Sequence, residues 1–162
     1  MRLYVIRHTA AGNRSEWHKS DDLRPLSTKG RRQAAAIADT LASAGITRLV
    51  SSPSVRCVQS LEPLAERLGR KVETDERLAE GSDGEDALAL ADELRTKDDA
   101  VALCSHGDVI PDMLRILKAT TARIKEPLLW PKASTWVVTW DAGRWSKARY
   151  IPPTDAVAPV HR

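Results

Sequence analysis

The stretch Leu3–His8, LYVIRH, decides the fold because four consecutive apolar residues are followed at once by two polar ones. A short unbroken apolar run is typical of a parallel strand that is buried on both faces. A similar run occurs at 100–104, a second short strand is predicted at 46–50, and a brief edge strand is predicted at 71–73. The sequence therefore predicts a mostly parallel sheet.

Amphipathic segments separate these runs. In the first of them, Ala34, Ile37, Ala38 and Leu41 recur at the i, i+3, i+4, i+7 spacing of one helical face. Stripes with the same period follow positions 52, 82 and 108. Alternating strands and helices predict an α/β fold, a three-layer α/β/α sandwich.

The predicted helix boundaries depend on capping residues. Gly45 is expected to close the first helix. Ser52 is expected to cap the second, with Pro53 as its first helical residue and Pro63 breaking or kinking it further on. Residues 82–85, SDGE, have the spacing of a capping box and predict the start of the third helix.

The end of the chain changes character. Apolar residues alternate from Trp136 to Trp140, residues 141–144 (DAGR) form a turn signal, and a second extended stretch runs to Ile151. This pattern predicts an antiparallel hairpin over 135–151. We expect one domain over 1–151 and a loose tail over 152–162.

The amino-acid composition limits the kinds of function that this chain can have. The chain has 162 residues, a net charge of +3 and 42% hydrophobic residues, which is typical of a globular domain. No stretch reaches the ~20 apolar residues of a membrane span, and no signal peptide is apparent, so a cytoplasmic protein that does not bind membranes is expected. Balanced charge disfavours a nucleic-acid polymer as partner. The two cysteines, Cys57 and Cys104, are expected to be buried thiols.

Three polar clusters follow the strands. They are Arg7-His8, a serine pair leading to Arg56, and Ser105-His106-Gly107. Ligands of open α/β sheets bind at the carboxyl ends of the strands. Like charges gathered in this way usually need an anion between them, and the two N–H groups of a guanidinium match two phosphate oxygens.

These motifs resemble those of a known family. Residues 7–9 (RHT), 51–56 (SSPSVR), 78–81 (LAEG) and 105–107 (SHG) look like the successive motifs of the histidine phosphatase superfamily, which includes cofactor-dependent phosphoglycerate mutase. The resemblance runs from about residue 1 to 151. The small size is similar to the SixA-type phosphohistidine phosphatases, and residues 105–111 look closer still to the histidine phosphatase domain attached to Nudix hydrolases.

The resemblance implies roles for five residues. His8 is the expected nucleophile, and a backbone carbonyl is expected to hold its other ring nitrogen. Arg7, Arg56 and His106 are expected to bind the phosphoryl oxygens, and Glu80 matches the proton donor. An acid at that position needs partial burial or a nearby carboxylate. No metal and no other cofactor are expected.

Other positions carry open alternatives. Arg14 is either a phosphate ligand or a solvated loop arginine, and Lys132 is expected to add a cation at the pocket rim. Asp108 is expected to be a helix N-cap. The loop residues Trp17 and Trp130 are candidates to line the pocket. His18 and His161 are expected to lie away from the phosphate site.

The resemblance also limits the substrate. Only 25 residues separate Glu80 from His106, where mutases carry a long insertion, so mutase activity is not expected. The implied enzyme is a phosphohydrolase (EC 3.1.3.-) that acts on a phosphomonoester or phosphoramidate through a phosphohistidine. Its substrate is a phosphohistidine protein or a phosphorylated nucleotide. The alternative is a binding module that keeps the phosphate pocket without turnover. The oligomeric state is not predicted.

Overall fold

A computed structural model describes residues 1–120 and 122–154 of the chain. A six-stranded sheet forms its centre, with the strand order β3-β2-β4-β1-β5-β6. β1, β2, β3 and β4 pair in parallel, whereas β5 pairs antiparallel with both β1 and β6. The strands are β1 (Arg2–Arg7), β2 (Arg48–Ser51), β3 (Val72–Thr74), β4 (Ala100–Ser105), β5 (Thr135–Asp141) and β6 (Arg144–Ile151).

Four α-helices cover the two faces of this sheet. They are α1 (Thr28–Leu41), α2 (Val55–Leu68), α3 (Gly84–Leu94) and α4 (Val109–Thr120). The described residues form two hydrophobic cores, one on each face of the sheet. α1 and α2 pack against the sheet in one core, and α3 and α4 pack against it in the other. The mixed α/β fold with its mostly parallel sheet is therefore confirmed.

The apolar run of β1 is unbroken because each of its faces meets a separate core. Leu3 and Val5 pack with α3 and α4, whereas Tyr4 and Ile6 pack with α1 and α2. All four side chains are buried. Because side chains of a strand alternate between its faces, a strand between two helical layers must be apolar at every position.

Two predicted helix boundaries are wrong on the α1 and α2 side. α1 ends at Leu41, and Gly45 lies beyond it in the following turn with a φ of 76°. α2 begins at Val55 after Ser54, so Ser52 does not cap it and Pro53 lies outside the helix. The hydroxyl of Ser52 instead contacts Nε2 of His106.

Pro63 does not break α2, and the predicted capping box of α3 is wrong. α2 continues through Pro63 to Leu68, and Leu61 and Leu64 on either side of the proline are buried. α3 begins at Gly84, not after Ser82. Ser82 donates its hydroxyl to the carbonyl of Glu76, and the Asp112 carboxylate of α4 accepts from the first N–H of α3. A tertiary contact thus replaces the local cap.

The C-terminal hairpin is confirmed, and β5 and β6 form one side of the sheet. Its turn holds Ala142 and Gly143 at positive φ, 47° and 76°, which is the conformation of a tight two-residue hairpin turn. Most of the predicted tail, including His161, lies outside the described residues. Within the part of the chain that the structure describes, no helix is long and apolar enough to cross a membrane.

Candidate active site

The three polar clusters meet at the carboxyl ends of β1, β2 and β4, because β4 lies between the other two strands. Arg7, His8, Arg56 and His106 line one cavity of about 540 Å³. The rings of His8 and His106 are 5.4 Å apart between centroids, and Arg56 Nη2 lies 3.4 Å from His106 Nδ1. Residues separated by up to 99 positions in the sequence are thus brought within reach of one anion.

The imidazole of His8 is held in one tautomer. Its Nδ1 lies 2.8 Å from the carbonyl oxygen of Thr9, which can only accept, so Nδ1 carries the proton. Burial lowers the pKa of His8 to about 3; the hydrogen bond to Thr9 opposes this shift, and the charges of His106, Arg56 and Arg7 add to it. The ring is therefore neutral near pH 7, and Nε2 keeps its lone pair.

Thr9 is fixed by hydrogen bonds to α1 and α2. Its N–H donates to Ser60 Oγ at 2.9 Å, and its hydroxyl donates to the carbonyl of Gly30 at 2.8 Å. Gly30 lets α1 approach closely, since a Cβ there would lie 1.8 Å from the carbonyl oxygen of Ala10. These contacts hold the carbonyl of Thr9 where it reaches Nδ1 of His8.

Arg7 keeps an unused donor at the cavity. Its Nη1 donates to the carbonyl of Trp130 at 2.9 Å. Among the described residues, Arg7 Nε is the buried side-chain nitrogen that lacks a hydrogen-bond partner. Burial lowers the pKa of Arg7, and the charge of Asp108 partly offsets this. Buried donors are nearly always paired, so this nitrogen points to an acceptor supplied by a ligand.

Arg56 is a buried cation between two carboxylates. Only 1% of its side chain is exposed. Its guanidinium lies 3.1 Å from Glu80 Oε2 and 3.2 Å from Asp21 Oδ2, and it also donates to the backbone carbonyl of Asp21 at 3.0 Å. Asp21 also pairs with Arg24 at 3.0 Å. The sequence offered no signal for Asp21, which belongs to an aperiodic polar loop.

The imidazole of His106 contacts a serine hydroxyl and a cysteine thiol. Its Nε2 lies 2.8 Å from Ser52 Oγ and 3.5 Å from Cys57 Sγ. This contact explains why Ser52 does not cap α2. Cys57 and Cys104 are both free and buried, as predicted. Burial raises the pKa of the Cys57 thiol, but contacts with Cys104, His106 and Arg56 reverse this and lower it below its usual range.

Glu80 reaches the cavity on a loop that α4 holds in place. Its side chain is 46% exposed and pairs with Arg56 and, at 3.6 Å, with Arg14. The carboxylate of Asp108 accepts from the backbone N–H of Gly81 at 2.7 Å and from that of Val109 at 2.9 Å. Asp108 thus occupies the predicted position before α4, and it also anchors the residue that follows Glu80.

Known proteins share this combination of motifs and fold. The profile of the histidine phosphatase superfamily (branch 1) matches residues 3–87, more than half of the 162-residue chain. The chain belongs to the histidine phosphatase superfamily. The 8-oxo-(d)GTP phosphatase of Mycolicibacterium smegmatis (strain ATCC 700084 / mc(2)155) is 32% identical over 156 residues, which cover 94% of this chain and 48% of that relative. The chain therefore spans about half the length of this relative.

Solved structures of two phosphatases share the fold. The protein histidine phosphatase SixA complexed with tungstate has a TM-score of 0.75 and 23% identity, covering 96% of this chain and 97% of that one. Mycobacterial glucosyl-3-phosphoglycerate phosphatase has a TM-score of 0.67 and 20% identity, covering 97% and 99% of the two chains. The family match and the shared fold together confirm the resemblance indicated by the sequence motifs.

The outer part of this histidine phosphatase pocket contains the remaining predicted residues. Arg14, Trp130 and Lys132 all line the cavity. Trp17 is not among its lining residues, and its indole N–H donates to the carbonyl of Ser20. Arg24 also lines the cavity, and sequence reasoning missed it although it belongs to the same polar loop as Arg14.

Proposed function

We propose that this chain is a phosphohydrolase that needs no metal and transfers a phosphoryl group to Nε2 of His8 and then to water. The observation that carries this proposal is the neutral, tautomerically fixed imidazole of His8 in a cavity lined by Arg7, Arg56 and His106. A neutral ring nitrogen is nucleophilic, and the surrounding cations and donors can stabilise the charge on the phosphoryl oxygens.

The first chemical step breaks the bond between phosphorus and the leaving group. The Nε2 lone pair of His8 forms the new bond to phosphorus, and the leaving atom takes the electron pair of the old one. Where the leaving group is an alkoxide or an amine, Glu80 supplies the proton. The product is a phosphohistidine, and Arg7, Arg56 and His106 hold its three oxygens.

The second step restores the enzyme. Water attacks phosphorus, its proton passes to the carboxylate of Glu80, and the electron pair of the P–N bond returns to His8. Glu80 faces the cavity while pairing with Arg14 and Arg56, which keeps the carboxylate near the attacked group. Inorganic phosphate then leaves.

A phosphorylated nucleotide is the favoured substrate class. The relative that is 32% identical along 94% of this chain carries the name 8-oxo-(d)GTP phosphatase. A phosphohistidine protein is the second candidate, supported by the exposed rim: the side chain of Arg14 is 67% exposed at the mouth of the cavity. A bulky substrate can approach such a site.

The activity test compares His8→Ala with His18→Ala, a matched control at an exposed histidine that does not line the cavity. Substrates are p-nitrophenyl phosphate, nucleoside di- and triphosphates and a phosphohistidine peptide. We expect His8→Ala to lose at least about 10³-fold in kcat and His18→Ala to retain wild-type rates.

Two outcomes of this test contradict the proposal. If His8→Ala keeps its activity, His8 is not the nucleophile. If the wild-type protein turns over none of the substrates but binds orthovanadate, the chain is the non-catalytic phosphate-binding module instead.

A further inference from the structure

The segment from Trp130 to Ala133 is tied directly to the reacting residues. The carbonyl of Trp130 accepts from Arg7 Nη1 at 2.9 Å, and the N–H of Ala133 lies 3.2 Å from the carbonyl oxygens of both Arg7 and His8. Ser134 closes the segment by donating its hydroxyl to the carbonyl of Pro131 at 2.6 Å. The backbone of this segment, and with it the point from which the Lys132 side chain extends, is therefore fixed relative to His8.

Ala133 has a backbone conformation that alanine rarely adopts. Its φ is 67°, in the left-handed region that favours glycine, and its side chain is buried. Such conformations cost free energy and persist only where the surroundings enforce them, and they cluster at ligand sites. The residue next to Ala133 that lines the cavity is Lys132.

Lys132 stands among other cations. Burial lowers its pKa, and the charges of Arg7, Arg24, Arg14 and Arg56 lower it further. Within residues 1–120 and 122–154, no carboxylate or hydrogen-bond acceptor pairs with its ammonium group. Lys132 is exposed at the cavity, and an anion bound between its ammonium group and these guanidinium groups would offset their mutual repulsion.

Lys132 is a cation of the cavity that neither an ion pair nor the transferred phosphoryl group engages. The lining includes five arginine and lysine side chains. Glu80 and Asp21 pair with Arg14, Arg24 and Arg56, so that among the described residues Arg7 and Lys132 are the lining cations outside an ion pair. The transferred group engages Arg7, Arg56 and the two imidazoles. The cavity of about 540 Å³ extends beyond them to Arg14, Trp130 and Lys132. Charge and space for a second anionic group therefore exist on the rim.

We propose that Lys132, together with Arg14, binds a second phosphate of the substrate, so that the preferred substrates are phosphoanhydrides such as nucleoside di- and triphosphates. This inference rests on the proposed function. His8 Nε2 forms its bond to the terminal phosphorus, the anhydride P–O bond breaks, and the bridging oxygen keeps the electron pair. Lys132 stabilises the charge that develops on the departing phosphate.

This assignment fits the surroundings of Glu80. A phosphate leaving group departs as an anion and needs no proton from the enzyme. Glu80 is paired with Arg56 and Arg14, an arrangement that suits a carboxylate. Its role with these substrates is then to accept the proton of water in the second step.

The test measures kcat/KM for GDP and for GMP with four proteins: wild type, Lys132→Ala, Lys132→Arg and the control Lys71→Ala. Lys71 is an exposed lysine that precedes β3, at the end of the sheet opposite the cavity. We expect the wild type to prefer GDP by at least about tenfold, since one charge-assisted contact has that order of magnitude.

Lys132→Ala is expected to lower the GDP-to-GMP ratio about tenfold, mainly through KM for GDP. Lys132→Arg is expected to keep most of the preference, and Lys71→Ala all of it. A wild-type protein without preference for GDP, or an unchanged ratio in Lys132→Ala, overturns the inference. Because the ratio is measured on an active enzyme, this result is distinct from a failure of His8→Ala to abolish turnover, which contradicts the proposed function itself.

Discussion

At the scale of single residues, the buried neutral state of His8 links folding to pH. The pKa of His8 is about 3 in the folded protein, against an ordinary value of 6.5. Between these values the unfolded chain binds a proton at this position and the folded chain does not. The free energy of unfolding is therefore not reduced by His8 above about pH 6.5, and it decreases as the pH falls from there toward 3.

The variant His8→Asn should remove this pH dependence while keeping a donor for the carbonyl of Thr9. On going from pH 7 to pH 5, we expect the wild type to lose about 2 kcal/mol more unfolding free energy than the variant. Urea unfolding at the two pH values measures the difference. Equal losses in both proteins would mean that His8 is not held neutral.

The sequence predicted which functional residues lie at the ends of the strands, but not which side chains contact and orient them. Arg7 is the last residue of β1, and His8 and His106 directly follow β1 and β4, so their positions follow from the hydrophobic pattern. The contacts of Asp21 with Arg56 and of Cys57 with His106 join elements that are distant in the sequence. Single-sequence patterns contain no information about such pairs.

At the scale of elements, two glycines allow close approaches with different consequences. A Cβ on Gly107 would lie 2.7 Å from Cζ of Arg7, whereas a Cβ on Gly30 would lie 1.8 Å from the backbone oxygen of Ala10. The first clash can be relieved by moving a side chain of the candidate active site. The second requires α1 to move away from the loop that follows His8.

Gly107→Ala is therefore expected to lower kcat/KM at least about tenfold with little change in thermal stability, since it displaces a guanidinium that would bind the phosphoryl group. Gly30→Ala is expected to cost about 1–3 kcal/mol or more of unfolding free energy. Steady-state kinetics and denaturant unfolding of both variants check this contrast. A Gly107→Ala protein with normal activity would argue against the placement of Arg7.

The elements themselves were predictable in kind but not in their starting residues. The strands and helices follow the expected order because most of them have a clear hydrophobic pattern. The predicted starts of α2 and α3 were wrong because Ser52 and Ser82 form hydrogen bonds with other partners. The first N–H of α3 donates instead to the carboxylate of Asp112. Local capping rules do not include such tertiary partners.

At the scale of the whole molecule, the two cores and the sheet order explain how the site forms. The placement of β4 between β1 and β2 brings the ends of three strands together. The sequence predicted this common edge from the polar clusters that follow the strands. The rim at Trp130 to Lys132 comes from a segment before β5 with no regular pattern, so its contact with Arg7 is known only from the structure.

The central claim is that this assembly forms a covalent phosphohistidine at His8. The most direct measurement mixes the protein with terminally radiolabelled GTP, quenches the reaction within milliseconds to seconds in alkali, and maps the label by peptide; Glu80→Gln is run in parallel to slow hydrolysis of the intermediate. We predict acid-labile, base-stable label on the peptide that contains His8, and none in His8→Ala. Label on another residue, or no label in either the wild type or Glu80→Gln during turnover, would contradict the claim.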